Sequence, residues 1–275
     1  MSCHSLVSPR IHHTRLQLSQ RMSNNNGAKG GGFQAAIPSN SATMSFPTPS
    51  GLEKKLVSPH TPRANIAADA EHPDGTTARD WASTHKNMTV LEQHVVFFNP
   101  KRDGVIWPLD TMKGHLKLGF NFFFAFLAMM VIHSGLSWWT QDGWMPDPFF
   151  RIYSKNIHRA KHGSDTGVYD SEGRFVPSAF ESLFCKFDKD KKGGLSFREG
   201  LRMLRQNRNV ADPFGWAAAV FEWGTVWLLL APSDHVITKE QLRTIYDGSL
   251  FYEIEYEHSN KNKKLSKDQN NVKYD

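Results

Sequence analysis

The chain has 275 residues, of which 39% are hydrophobic, 22% charged and 12% aromatic, enough for one sizeable core and a small second one, which excludes a wholly disordered chain. Lys and Arg number 33 against 27 Asp and Glu, and the excess is spread along the sequence, so nucleic acid is a poor partner and an anionic membrane surface a fair one. The two cysteines, Cys3 and Cys185, are too far apart in sequence to build a paired-cysteine zinc site.

Residues 1 to 50 carry no Asp or Glu and are rich in Ser, Asn, Gly and Pro. Such a stretch cannot bury enough apolar surface to fold. Arg10, Arg15 and Arg21 without acidic neighbours have the composition of a transit peptide and equally suit a plain extension. Polar, breaker-rich sequence continues to about residue 86, so 1–86 is expected to be a disordered N-terminal extension. A folded domain is expected over 87–257, beginning where Thr89 to Phe98 places apolar residues at helical spacing, with a polar tail over 258–275.

Residues 99–110 have the spacing of a twelve-residue calcium loop. Asn99, Lys101, Asp103, Trp107 and Asp110 take positions 1, 3, 5, 9 and 12, Gly104 supplies the sharp turn, and Val105 offers its carbonyl. Lys101 puts an ammonium where an oxygen is wanted, and Asp110 is one methylene shorter than the usual bidentate Glu. Weak calcium binding, or none unaided, is expected.

Leu118 to Gln141 is a run of 24 residues with no ionised side chain, followed by Trp144 and then Pro146-Asp147-Pro148, which forces the chain out of helix. Trp138, Trp139 and Trp144 sit where interfacial aromatics do. A full span would put the rest of the fold across the membrane, so residues 118–148 are expected to form a hydrophobic hairpin or interfacial segment. A second calcium-like loop spans 188–199, with Asp188, Asp190, Ser196 and Glu199 at positions 1, 3, 9 and 12 and Gly194 offering its carbonyl. By carboxylate count it is the stronger of the two, although Lys192 stands at position 5. Such loops pair, so the expected fold is mainly α, an EF-hand-like helix-loop-helix module with the apolar segment inserted between its halves and disordered termini. In 213–232, Trp216, Val220, Trp223 and Trp227 recur at three or four residues, which reads as a core-facing helix.

His94 precedes the first loop, and His158 and His162 follow the apolar segment. A zinc protease motif would need an acid at Arg159, so that chemistry is excluded. Neutral imidazoles beside an apolar site can hold haem iron, although a lone histidine is far more often a satisfied structural one, and only two that converge would favour ligation. Nucleophile-elbow, phosphate-loop and dinucleotide fingerprints are all missing from the sequence.

The run from Asn156 to Asp170 (NIHRAKHGSDTGVYD), the loop at 99–110 with its charge-free segment and Pro146-Asp147-Pro148, and Tyr246 to Phe251 resemble the caleosin family over residues 88 to 252. The resemblance implies a haem b and Ca²⁺ protein of lipid droplets and endoplasmic reticulum membrane. It also implies a peroxygenase that cleaves a fatty acid hydroperoxide and passes its oxygen to an unsaturated lipid. The family's haem histidines fall on His94 and His162, with His158 second choice. The alternative is a non-catalytic, calcium-responsive coat protein of lipid droplets. Expected partners are membrane lipids and fatty acid hydroperoxides, with no nucleic acid and with a homo-oligomer left open.

Overall fold

The computed structural model describes residues 51–230 and 232–272, with side chains up to residue 261. The expected disorder of the first 50 residues lies outside the described residues. Their successors, residues 51–86, do not behave as an extension. Leu52, Leu56 and Ala68 form a small buried cluster, Arg63 exchanges both backbone hydrogen bonds with Phe175, and Val90 N–H donates to Ala64 O at 2.9 Å. The folded part therefore begins more than thirty residues before the expected boundary at 87.

After a 3₁₀ turn at Leu52–Lys54 come a second at Ala78–Asp80, the single turn α1 (Trp81–Thr84), and α2 (Val90–Val96). A capping box fixes the start of α2: Glu92 N–H donates to the Thr89 hydroxyl oxygen and Thr89 N–H to the Glu92 carboxylate. Strand β1 (Val105–Ile106) then leads into α3 (Pro108–Lys117), whose first position is a proline, a site where a missing N–H costs nothing. Helix α4 (Phe122–Thr140) is capped by Asn121, whose side chain accepts from Phe124 N–H. Strand β2 (Ile152–Tyr153) and a 3₁₀ stretch at Ser154–Ala160 follow. The rest is α5 (Pro177–Phe187), β3 (Gly194–Ser196), α6 (Phe197–Gln206), α7 (Pro213–Leu230), β4 (Val236–Thr238), α8 (Lys239–Tyr246) and α9 (Ser249–Val272). The chain is mainly helical, as expected. The segment expected to be an unpacked tail continues α9 to Val272.

The two predicted loops do not pair with each other. Strand β1 pairs with β2, placing Ile106 opposite Ile152, and β3 pairs with β4, placing Leu195 opposite Ile237; all four residues are buried. Two residues before each of them stands a residue with left-handed backbone: Gly104, Phe150, Gly193 and His235, with φ between 52° and 81°. That is the offset between the sharp turn and the strand centre of a twelve-residue calcium loop. Segments 145–156 and 230–241 thus make the same turn as 99–110 and 188–199 without an oxygen-donor set. The apolar helix α4 is accordingly no insertion between halves. It is the helix leading into the partner of the first loop, and Pro146-Asp147-Pro148 forms the start of that partner.

The main core joins α5, α6, α7 and α8, with Phe175, Phe180, Phe187, Leu195, Met203 and Ile237 fully buried. Trp223 and Trp227 pack on it from α7, as expected, whereas Val220 and Trp216 of the same predicted stripe face outward. Helix α4 is a single uninterrupted helix with no hairpin inside it. Its arrangement is inverted: Ala125, Ala128, His133, Ser137 and Thr140 face the protein, and Phe122, Phe123, Phe126, Leu127, Met130, Val131, Trp138 and Trp139 are exposed.

Candidate functional site

A cavity of about 320 Å³ lies among α2, α3, α4, α7 and the loop after the 3₁₀ stretch, lined mainly by apolar side chains such as Leu91, Val95, Ile132, Leu136, Val226 and Leu229. His94 and His162 both line it, although they are far apart in sequence and reach it from different elements. His158 does not line it.

Each histidine is held differently. His94 Nδ1 lies 2.7 Å from the carbonyl oxygen of Ile245 at the end of α8, which fixes its tautomer: Nδ1–H donates to the carbonyl, leaving the Nε2 lone pair free. Burial lowers its pKa, outweighing the opposing pull of that hydrogen bond and of the Glu222 charge, so the ring is neutral near pH 7. The Phe251 ring packs against it edge-on at 5.2 Å.

His162 Nε2 stands 3.6 Å from a Glu222 carboxylate oxygen, and its Nδ1 is buried without a hydrogen-bond partner. The nearby Glu222 carboxylate raises its pKa, against the desolvation that would lower it. The loop carrying it is clamped from both sides. Ser164 Oγ donates to Asp212 at 2.7 Å and accepts from Asn209 N–H at 3.0 Å, and a Cβ on Gly163 would sit 2.9 Å from the Asn209 amide nitrogen.

Sequence reasoning missed four cavity residues. Glu222 lies on α7 among apolar neighbours, and its charge acts on both imidazoles. His115 on α3 also sends Nδ1 to a backbone carbonyl, that of Thr111 at 2.9 Å, and stacks on Phe98. Tyr169 and Tyr246 pack ring edge to face, with Tyr246 OH 2.7 Å from Thr166 Oγ1 and Tyr169 OH donating to the Tyr246 carbonyl. Burial raises both phenol pKa values, so both stay protonated. The lone charged letter in an apolar helix was the one available signal for Glu222.

The two calcium-like loops also differ. In 99–110, Asn99 is buried and its Oδ1 has no partner among the described residues, Asp103 accepts from Val105 N–H, and Lys101 is exposed. Trp107 caps α3 through its carbonyl, and Asp110 sits in the first turn. In 188–199 the Lys192 ammonium lies 2.8 Å from Asp188 and 2.5 Å from Glu199, between the carboxylates at positions 1 and 12. Asp188 also accepts from the N–H groups of Lys192, Gly193 and Gly194, and Glu199 from Ser196 N–H and Oγ. Asp190 is exposed. The loop with more carboxylates thus holds a cation of its own between its first and last positions. Asp69, Glu71 and His72 cluster elsewhere, within 4.8 Å of one another, but Lys239 already places its ammonium 3.6 Å from Asp69 and 3.7 Å from Glu71.

The family profile described as Caleosin related protein matches residues 86–255. The chain belongs to the caleosin family. Among caleosin relatives, it is 39% identical over 212 residues to a protein named Peroxygenase from Lilium longiflorum, covering 77% of this chain and 87% of that one. It is 38% identical over 174 residues to Probable peroxygenase 4 from Arabidopsis thaliana, covering 63% and 89%. A third relative, Probable inactive peroxygenase-like protein of Arabidopsis thaliana, is 32% identical over 151 residues, covering 54% and 70%. No solved structure matches.

Proposed function

We propose that this caleosin is a haem-dependent, calcium-linked peroxygenase of lipid droplets and endoplasmic reticulum membrane, using fatty acid hydroperoxides to oxygenate unsaturated lipids. Relatives named as peroxygenases support the activity. The observation that carries the cofactor is that His94, with Nδ1 tied to Ile245 O, brings a free Nε2 to the same apolar cavity as His162, whose buried Nδ1 lacks a partner. A lone pair left on a neutral imidazole, with its other nitrogen held by a carbonyl, is the arrangement metal-ligating histidines use. The residues fit haem b: His94 Nε2 and His162 Nδ1 would hold it, and the apolar lining would receive its ring.

When bound, haem would supply the iron at which a hydroperoxide O–O bond is cleaved and its oxygen passed on. The chain's own residues do the rest. Ile245 O holds the His94 ring in one tautomer and raises the basicity of its free nitrogen. Glu222 keeps a proton on His162 Nε2, and the protonated Tyr169 and Tyr246 add no charge to the cavity. The apolar lining takes a fatty acyl chain and excludes water.

The outward face of α4 supports lipid contact. Burying a Phe or Leu side chain is worth about 1.5–3 kcal/mol, so a row of eight large apolar side chains left in water would be a heavy loss that a lipid surface removes. We read the four turns as two EF-hand-like pairs in which 99–110 is the loop that takes Ca²⁺, through Asn99, Asp103, Val105, Trp107 and Asp110. The second reading, a non-catalytic droplet coat, draws on the relative named as inactive. Spectroscopy separates them. Protein produced with haem supplied should show a Soret band that His94→Ala removes while helical circular dichroism stays. A wild type that takes up no haem leaves the coat reading.

A further inference from the structure

We propose that α6, together with the turn that leads into α7, is a docking face for anionic phospholipid headgroups, distinct from the apolar face of α4. The proposal rests on the reading that α4 contacts lipid.

Helix α6 turns Glu199, Gly200 and Met203 inward. Outward it shows Arg198, Arg202 and Arg205 at i, i+4 and i+7, with Arg208 beyond its end, interleaved with exposed Phe197 and Leu201, while Val210 is 88% exposed. Among the described residues no carboxylate lies within ion-pair distance of these four guanidiniums, which lie together on α6 and just past its end; Arg63, Arg79 and Arg102 also lack one but lie scattered, and Arg151, Arg159, Arg174 and Arg243 have acidic partners. Solvated helix faces normally mix both signs of charge. Unpaired arginines alternating with bare aromatic and aliphatic side chains instead describe a helix lying at a lipid interface.

The face is continuous with the apolar surface. Phe197 packs on Trp227 of α7 at 5.3 Å, Phe221 of α7 stacks with Phe124 of α4 at 6.2 Å, and the Phe214 ring lies against Gly135. The exposed residues along α7 other than Glu222 are apolar: Phe214, Ala217, Val220 and Leu228 among them. At the junction Arg208 lies over the Trp216 ring at 5.8 Å, while the indole N–H donates to Asn209 O, a cation and an amphipathic ring side by side as at membrane interfaces. Apolar residues among the arginines favour a phospholipid surface over a nucleic acid, and cations without acidic partners favour anionic headgroups over neutral ones.

The test is flotation of the full chain with phosphatidylcholine vesicles, with and without phosphatidylserine, at low and high salt. Phosphatidylserine should strengthen binding by about tenfold or more, and salt should remove that gain. Arg198→Gln, Arg202→Gln and Arg205→Gln together should abolish the gain while leaving binding to phosphatidylcholine unchanged, and the three corresponding Lys substitutions should restore it. Circular dichroism verifies folding of each variant. Equal binding to both vesicle types, a triple Gln variant that keeps the gain, or preferential retention of single-stranded RNA overturns the proposal. The α4 reading is judged apart: Phe123→Ser with Phe126→Ser and Met130→Ser should abolish binding to phosphatidylcholine alone. If those changes have no effect, the α4 reading fails even where the arginine dependence holds.

Discussion

His94 Nδ1 and the carbonyl oxygen of Ile245 are 2.7 Å apart, and this one contact joins the helix before the first loop to the last hand-like helix of the chain. The next turn of chain makes the contact sensitive to volume. Gly248 has φ +77°, and a Cβ there would come within 2.6 Å of Gln93 O and 2.9 Å of His94 Cα.

Gly248→Ala should therefore push α2 away from the α8–α9 turn. We expect a loss of at least ~1 kcal/mol from the left-handed backbone alone, with the clash adding to it. Urea denaturation measures the loss, and haem uptake should fall with it because His94 loses its carbonyl.

Lys192→Asn should convert 188–199 into a cation loop. The wild-type ammonium lies between Asp188 and Glu199, and its removal leaves two carboxylates and an amide facing one point. Terbium luminescence sensitised by nearby tryptophan should appear in the variant. Unchanged terbium binding would contradict the assignment of Lys192 as an internal cation.

The same pair sets an acid limit. Burial pushes the Asp188 and Glu199 carboxyls up, but Lys192 and the surrounding N–H donors outweigh it and hold both below their ordinary values. A depressed folded pKa gives stability that is complete above the unfolded value, near pH 4, and is lost as pH falls through the folded one. Lys192→Met should weaken the depression, so its denaturation midpoint should fall at higher pH than that of the wild type.

His162 gives the opposite sign. Its pKa is raised through Glu222, so the stability it contributes is complete below about pH 6.5 and is lost as pH rises through the folded value. In haem-free protein, the imidazole NMR resonances of His162 should titrate above the ordinary histidine value. Glu222→Gln should bring the titration down, and no change would remove Glu222 as the cause.

In the first loop, Asp110→Glu with Lys101→Asn should raise calcium affinity by about tenfold or more, because a longer carboxylate reaches the ion and an ammonium is removed. Calorimetry reads this directly. Asn99→Leu should lower affinity by removing the unpartnered Oδ1.

The sequence showed loop 99–110 and the apolar helix, because fixed spacing and an uncharged run are local signals, whereas His94 and His162, which line one cavity, were singled out as a pair only through the family resemblance. It hid the partners of the loops. Segment 230–241 has Leu230, Pro232 and Gln241 where ligands at positions 1, 3 and 12 would stand, so only the strand register and the left-handed His235 disclose the turn. Residues 51–86 read as disorder because their anchors are scattered among polar residues: Leu52 and Leu56 form a small cluster with Ala68, while Ala67 joins the main core and Trp81 packs against Tyr252, far off in sequence. Lys192 was visible as a fault in a calcium loop, but that its ammonium takes the ion's place depends on a side-chain direction that spacing does not give.

The most direct test is the absorption spectrum of the purified chain, produced with haem supplied, beside His94→Ala and His162→Ala. The account predicts a Soret band in the wild type, its loss in His94→Ala, and a shifted or weakened band in His162→Ala, with helical content equal in all three. A wild type with no Soret band, or a band unchanged by both substitutions, would contradict it.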